Sequence, residues 1–318
     1  MTGAGDTKRI GFIGLGIMGG PMAAHLVRAG HRVTGYDLER AAIDRLVAAG
    51  GEGAADIADA VRHADVVITM VPADPQVERV MFGAGGVLET VAPGTLVIDM
   101  SSIKPGTSIA VAEAGAEREL RVLDAPVSGG EAGAIEAVLS IMVGGTEQDF
   151  AAALPLFEVL GRTIVHVGPH GAGQTVKAAN QLIVAGNIQL VAEALLFLER
   201  AGVDTEAGLK VLAGGLAGSA VLDRKGRVMR DRDFTPGFRI DLHHKDMGIV
   251  TESAREFDLV LPLAGLTAQL VASLRAQGGG GLDHCGLLLG LERLNGHARQ
   301  GGSAAVGTED SVSKQGDN

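Results

Sequence analysis

Tryptophan is absent, tyrosine occurs once, and aromatic residues make up 3% of the 318 positions. A core must therefore be built from Ala, Val, Leu, Ile and Met. Cys285 is the only cysteine, so no intrachain disulfide can form, which fits a reducing compartment. Positive charge is in deficit: 27 Lys and Arg stand against 38 Asp and Glu, for a net charge of −11. That balance argues against a nucleic-acid or anionic-membrane partner, and it means that an anionic substrate must be held by specific local donors. No repeat of fixed period is visible. The opening residues MTGAGDTKR carry no apolar signal region, so a soluble, cytoplasmic protein is expected.

What is present divides in two. From Lys8 to Pro169, short β-branched and apolar runs alternate with helical spacing: strands are expected at 8–13, 32–36, 65–70, 96–99, 122–127, 139–143 and 163–167. Such alternation predicts a parallel sheet flanked by helices. The first unit reads strand, Gly14-Leu15-Gly16-Ile17-Met18-Gly19, helix, strand, Asp37. Gly14 would make the tight turn, Gly16 would let a pyrophosphate approach the backbone, and Gly19 would let helix and strand pack closely. The helix N-terminus would add N–H donors, and Asp37 could take the ribose hydroxyls. Residues 8–170 are thus expected to form a Rossmann-type NAD(P)-binding domain. Asp37 should repel a 2′-phosphate, which favours NAD(H), while Arg40 keeps NADP(H) possible. Val71, Pro72 and Ser102 follow strand ends, where ligands of such sheets lie. Beyond Val127, the Ser128-Gly129-Gly130 segment offers a hydroxyl and exposed N–H groups that can cradle a carboxylate.

The second half, 171–296, is expected to be all-helical, with substrate and oligomer contacts, and 297–318 to be a disordered tail rich in Gly, Ser, Gln and charge. Between the halves, Gln174 to Arg200 reads as one helix of about 40 Å at 1.5 Å per residue. It is apolar on nearly every face, which predicts a buried helix. Asn180, Gln181, Asn187 and Gln189 interrupt the apolar run and argue against a membrane span. Lys177 is costly there unless it has a partner or a task. Asn180 and Gln181, three and four residues on, share its face. A dinucleotide, an anion cradle and a buried lysine together suggest hydride transfer at a carbonyl beside a carboxylate, with Lys177 as proton donor if burial or Lys245 lowers its pKa. His243 and His244 are adjacent and lack metal-ligand spacing, and Asp283-His284 reads as a capped helix start, so no metal site is expected. So small a helical domain could hardly cover the long apolar helix alone, so a homo-oligomer, dimer or tetramer, is expected.

Four motifs, GFIGLGIMGGPM (11–22), DAPVSGG (124–130), GAGQTVKAAN (171–180) and Lys245-Asp246, resemble those of the β-hydroxyacid dehydrogenases over about residues 9–296. The resemblance implies that Lys177 is the catalytic lysine, that Ser128, Gly129 and Gly130 bind the substrate carboxylate, and that Ser102 and Lys245 contact the cofactor. Asn180-Gln181, GGLAGSAVLD (214–223) and FTPGFRIDLHHKD (234–246) resemble the branch that reduces tartronate semialdehyde to glycerate. Members acting on 3-hydroxyisobutyrate or other short semialdehydes are the alternative. The chain departs from the usual pattern at His25, at Ala73 and at Gln181, where an Asn is common; the last bears on substrate choice. A non-catalytic binding module on the same scaffold, or an imine reductase, would be expected to lack the lysine.

Overall fold

The computed structural model describes residues 7–296; the expected disordered tail, 297–318, lies outside the described residues. Nine strands form one sheet: β1 (Arg9–Ile13), β2 (Arg32–Tyr36), β3 (Glu52–Gly53), β4 (Val66–Thr69), β5 (Leu96–Asp99), β6 (Arg121–Asp124), β7 (Val127–Ser128), β8 (Leu139–Gly144) and β9 (Gly161–Gly168). Their order is β3-β2-β1-β4-β5-β6-β8, with β7 and β9 both paired to β8. β1 to β6 run parallel, whereas β8 runs antiparallel to β6 and β7. The all-parallel expectation is corrected here. In the link between β6 and β8, β7 turns the chain back, pairing antiparallel with β8 at Val127 with Ile141 and Ser128 with Ser140. Strand order reverses between β1 and β4, which places the sheet's ligand crevice at their C-terminal ends.

The helices are α1 (Gly19–Arg28), α2 (Arg40–Ala48), α3 (Ile57–Val61), α4 (Asp74–Phe82), α5 (Val87–Thr90), α6 (Pro105–Ala116), α7 (Gly130–Ile135), α8 (Glu147–Leu160), α9 (Ala172–Arg200), α10 (Thr205–Ala213), α11 (Ala220–Arg230), α12 (Ile240–Glu256), α13 (Pro262–Leu274) and α14 (Leu287–Leu294). Every residue of β4 (VVIT) and β5 (LVID) is buried, as expected of strands covered on both faces. Ile10, Phe12, Ile68 and Ile98 pack into a core on one side of the sheet, and Ile13, Val67 and Val97 into a core on the other. In the helical half, Ile188, Ala192 and Leu195 of α9 pack with Met229, Ile240, Val271, Leu274 and Leu288. With few aromatics, these cores are mainly aliphatic, and Phe12 and Phe157 are the largest side chains fully buried in the first.

α9 is held to the sheet at its first turn. Asp124, the last residue of β6, accepts from Gly171 N at 2.8 Å and Gln174 N at 3.0 Å. A carboxylate on the N-terminal N–H groups of a helix satisfies two orphan donors and opposes the dipole. Gln174 fastens the same turn to the loop that follows β5: its amide donates to Ser101 O at 2.8 Å and accepts from Ile103 N at 3.1 Å. The helix begins two residues earlier than its sequence pattern predicts, because Asp124 supplies a cap from a distant strand.

Lys245 and Asp246 lie in the second turn of α12. One further expectation is corrected: α9 is not buried all round. Ile183, Leu190 and Phe197, each seven residues apart, are 63%, 62% and 74% exposed. Seven residues are close to two helical turns, so these side chains line up as one apolar stripe. α9 is long and apolar enough to cross a membrane, but its buried Gln174, Lys177 and Gln181 are bonded into the protein.

Candidate active site

The glycine loop has the geometry its spacing implies. Gly14 sits at φ +95°, and a Cβ there would lie 2.2 Å from Met70 O. A Cβ on Gly19 would lie 1.9 Å from Gly14 O, whereas a Cβ on Gly16 would meet nothing within 4 Å. Turn and tight packing thus fall to Gly14 and Gly19, and an open approach to Gly16. Leu15 is buried in the sheet core and Ile17 faces out, with Met18 beside the start of α1. Asp37, after β2, reaches back to accept from Leu15 N at 2.6 Å and also accepts from Glu39 N at 2.8 Å. Arg40 pairs with Asp44 at 2.9 Å on the exposed surface.

Across the crevice, β4 and β5 deliver Val71, Pro72 and Ser102. Val71 N donates to Ser101 Oγ at 3.0 Å. Lys245 Nζ, from α12, donates to Pro72 O at 3.1 Å and Ser102 O at 2.5 Å. The helical half therefore closes on the strand ends, and two of the expected cofactor residues, Pro72 and Ser102, meet through a third, Lys245. A small cavity lies beneath this junction, lined by Ser102, Ile103, Gln174, Lys177, Gln181 and Asp246.

Lys177 is 8% exposed. Its ammonium donates to Val127 O at 2.7 Å and Gln181 Oε1 at 3.2 Å. An ammonium has three N–H donors, so one remains for a ligand. Burial lowers its pKa to about 8, with Asp246 opposing the shift and Lys245 adding to it. That value suits a group that must give and take a proton near neutral pH. The residue after Val127 is Ser128, followed by Gly129 at φ +145° and Gly130 at φ +65°. A Cβ on Gly130 would meet nothing within 4 Å, so the segment is open on that side. Asn180 Nδ2 donates to Gln181 Oε1 at 2.8 Å, and Gln181 Nε2 donates to Asp246 Oδ2 at 2.5 Å. The lysine and the segment leading into the Ser-Gly-Gly turn, from two separate motifs, meet at the Val127 carbonyl.

Residues 9–168 match the model of the NAD binding domain of 6-phosphogluconate dehydrogenase. Residues 171–290 match the NAD-binding domain of NADP-dependent 3-hydroxyisobutyrate dehydrogenase. The 2-hydroxy-3-oxopropionate reductase of Escherichia coli is 44% identical over 289 residues, covering 91% of this chain and 99% of that one. The chain belongs to the β-hydroxyacid dehydrogenase family. The NAD-dependent L-serine dehydrogenase of Pseudomonas aeruginosa is 40% identical, over 85% of this chain and 93% of that one. The Mycobacterium tuberculosis 3-hydroxyisobutyrate dehydrogenase, solved with L-serine, superposes with a TM-score of 0.82 at 33% identity, over 90% of this chain and 99% of that chain. This β-hydroxyacid dehydrogenase is thus an NAD(P)-dependent oxidoreductase.

Sequence reasoning left three residues of the site without a role. Asp124 caps the lysine-bearing helix, Gln174 ties it to the loop that follows β5, and Asp246 holds Gln181. Asp124 and Asp246 lie inside recognised motifs, so their positions were in view; their partners are 47 and 65 residues away and leave no local pattern. His243 and His284 also meet, Nδ1 to Nδ1 at 3.3 Å, buried beneath Phe238. Burial and the neighbouring His243 lower the pKa of His284 to about 3. Asp283, His284 and Cys285 lie close together, but the Asp283 carboxylate is occupied by Lys225 Nζ and by the N–H groups of Gly237, Phe238 and Cys285.

Proposed function

We propose that this enzyme reduces tartronate semialdehyde to glycerate, with Lys177 as the proton donor. The observation that carries the reading is the Lys177 Nζ to Val127 O bond of 2.7 Å, which sets the ammonium one residue from Ser128-Gly129-Gly130. Ser128 Oγ and the N–H groups of Gly129 and Gly130 hold the substrate carboxylate. The free N–H of Lys177 points at the aldehyde oxygen and protonates it as negative charge develops there. Asn180 and Gln181 contact the rest of the substrate. The 44% identity to a 2-hydroxy-3-oxopropionate reductase supports this substrate over its rivals.

Residues 8–170 are assigned to cofactor binding and 171–296 to substrate binding and oligomerisation. Gly14, Leu15, Gly16, Ile17, Met18 and Gly19 would hold the pyrophosphate at the start of α1, Asp37 the adenosine ribose, and Val71, Pro72, Ser102 and Lys245 the nicotinamide end. When bound, the nicotinamide cofactor supplies the hydride. The Asp37 carboxylate beside the loop favours NADH, because a 2′-phosphate would meet a like charge; NADPH remains usable through Arg40. In steady-state assays, tartronate semialdehyde should give a higher kcat/KM than methylmalonate semialdehyde or succinate semialdehyde, and NADH a higher one than NADPH. A higher value for either rival aldehyde would reject the substrate assignment.

The protein is also assigned to the cytoplasm as a homo-oligomer, a dimer or tetramer joined through the stripe of Ile183, Leu190 and Phe197. Size-exclusion light scattering should give a multiple of the 32.4 kDa chain mass, and the Leu190→Asp/Phe197→Asp variant should elute as monomer. A monomeric wild type would end this assignment.

A further inference from the structure

We propose that Asp246 is a positioning residue for Lys177, acting through the side chain of Gln181. The inference rests on the reading of Lys177 as proton donor. Gln181 is buried, and its amide can lie either way round in its slot. One way, Oε1 faces the two donors Lys177 Nζ and Asn180 Nδ2, and Nε2 faces Asp246 Oδ2. Turned over, an NH₂ group would face an ammonium and another NH₂, and a carbonyl oxygen would face a carboxylate. A carboxylate only accepts, so Asp246 selects the first orientation. The acceptor thereby presented to Lys177 fixes the second of its three N–H groups, after Val127 O has fixed the first. The third then has one direction available, and pre-set direction is what a proton transfer in a closed site requires.

Asp246 is itself located by the other domain. Its Oδ1 lies 3.0 Å from Lys245 Nζ, which is bonded to Pro72 O and Ser102 O. A chain of polar contacts therefore runs from the ends of β4 and β5 through Lys245, Asp246 and Gln181 to the lysine. The charged and titratable groups that face Lys177 are Asp246 and Lys245, with His243 of the same helix kept neutral by burial. Of the two charged ones, Asp246 favours the ammonium and Lys245 disfavours it. Reduction needs Lys177 protonated, so its rate falls as pH rises through the lysine pKa; oxidation of the hydroxyacid needs it neutral, so its rate rises through the same pH. Loss of Asp246 should move both limbs to lower pH.

The test is a double-mutant cycle with pH profiles of kcat/KM in both directions, at saturating cofactor. Asp246→Asn and Gln181→Leu should each lower kcat/KM about tenfold, in line with a lost hydrogen bond to a charged group, and the double variant should lose little more than either alone. Both single variants should shift the limbs to lower pH. Additive losses of about a hundredfold, or limbs that stay in place, would overturn the inference. If Asp246→Asn does not fold, Asp246→Ser takes its place in the cycle, because it too removes the carboxylate that faces Gln181 Nε2. Lys177→Ala, run alongside, separates the two ideas. If the limb survives without the lysine, the proton-donor reading fails; if it vanishes there yet is unmoved in Asp246→Asn and Gln181→Leu, only the role of Asp246 fails.

Discussion

Lys177→Ala should lose about three orders of magnitude in kcat for aldehyde reduction while NADH affinity, followed by fluorescence titration, stays unchanged. The magnitude is the usual contribution of a positioned general acid, about 10² to 10⁴. The separation of effects follows from placement: Lys177 bonds to Val127 O and Gln181, and none of its partners belongs to the glycine loop or to Asp37. Lys177→Arg is the sharper version. A guanidinium keeps the charge but does not release its proton at any working pH. If charge alone stabilised the developing alkoxide, the arginine variant would retain much of the activity; if the proton is needed, it should be nearly as slow as the alanine variant. An unchanged kcat in Lys177→Ala would sink the mechanism.

Gly173→Ala should cost about a hundredfold in kcat/KM without touching substrate, cofactor or lysine. A Cβ at this position would lie 2.4 Å from Met142 O, 2.7 Å from Asp124 Oδ2 and 2.9 Å from Asp124 O. Two of these atoms are strand backbone, and the third is already bonded to the first turn of α9, so none can step aside cheaply. The helix must lift from the sheet, carrying Lys177 with it one turn later. A misplacement of about 1 Å at a reacting group can cost about 10² in rate. Overpacking should cost about 1–3 kcal/mol, against about 1 kcal/mol gained in helix propensity. Gly186→Ala is the control: it lies in the same helix, and its Cβ would meet nothing within 4 Å. That variant should keep full activity and gain stability in a thermal melt. Full activity in Gly173→Ala would mean that the helix start tolerates displacement.

The alternation of strands and helices was legible because β4 and β5 are buried on both faces and read as continuous apolar runs. The glycine loop was legible because each glycine meets a separate steric demand. The reversal at β8 was not, since a strand's direction is set by its partners and not by its composition. The exposed stripe on α9 was missed for a related reason: apolar residues on every face look alike in sequence, whether a face meets this chain's own core or lies open. Within the site, Lys177, Ser128 and the glycines announce themselves as residue types out of place or in special conformations. Asp124 and Asp246 do not, because an aspartate at a strand end or in an amphipathic helix is ordinary until its partner 47 or 65 residues away is known.

The bond from Lys177 to the Val127 carbonyl has a consequence for length discrimination. Under the proposed function, the carbonyl that fixes the ammonium and the serine that would begin the carboxylate cradle are neighbours in the chain, so the gap between proton donor and anion anchor would behave as a gauge block. An acid whose aldehyde sits one carbon from the carboxylate spans that gap, and both tartronate and methylmalonate semialdehydes qualify. Succinate semialdehyde carries one methylene more and would have to buckle or leave one end unheld. Under the proposed function, candidate substrates are sorted first by carbon count. The choice between a hydroxyl and a methyl on the middle carbon then falls to the amides of Asn180 and Gln181.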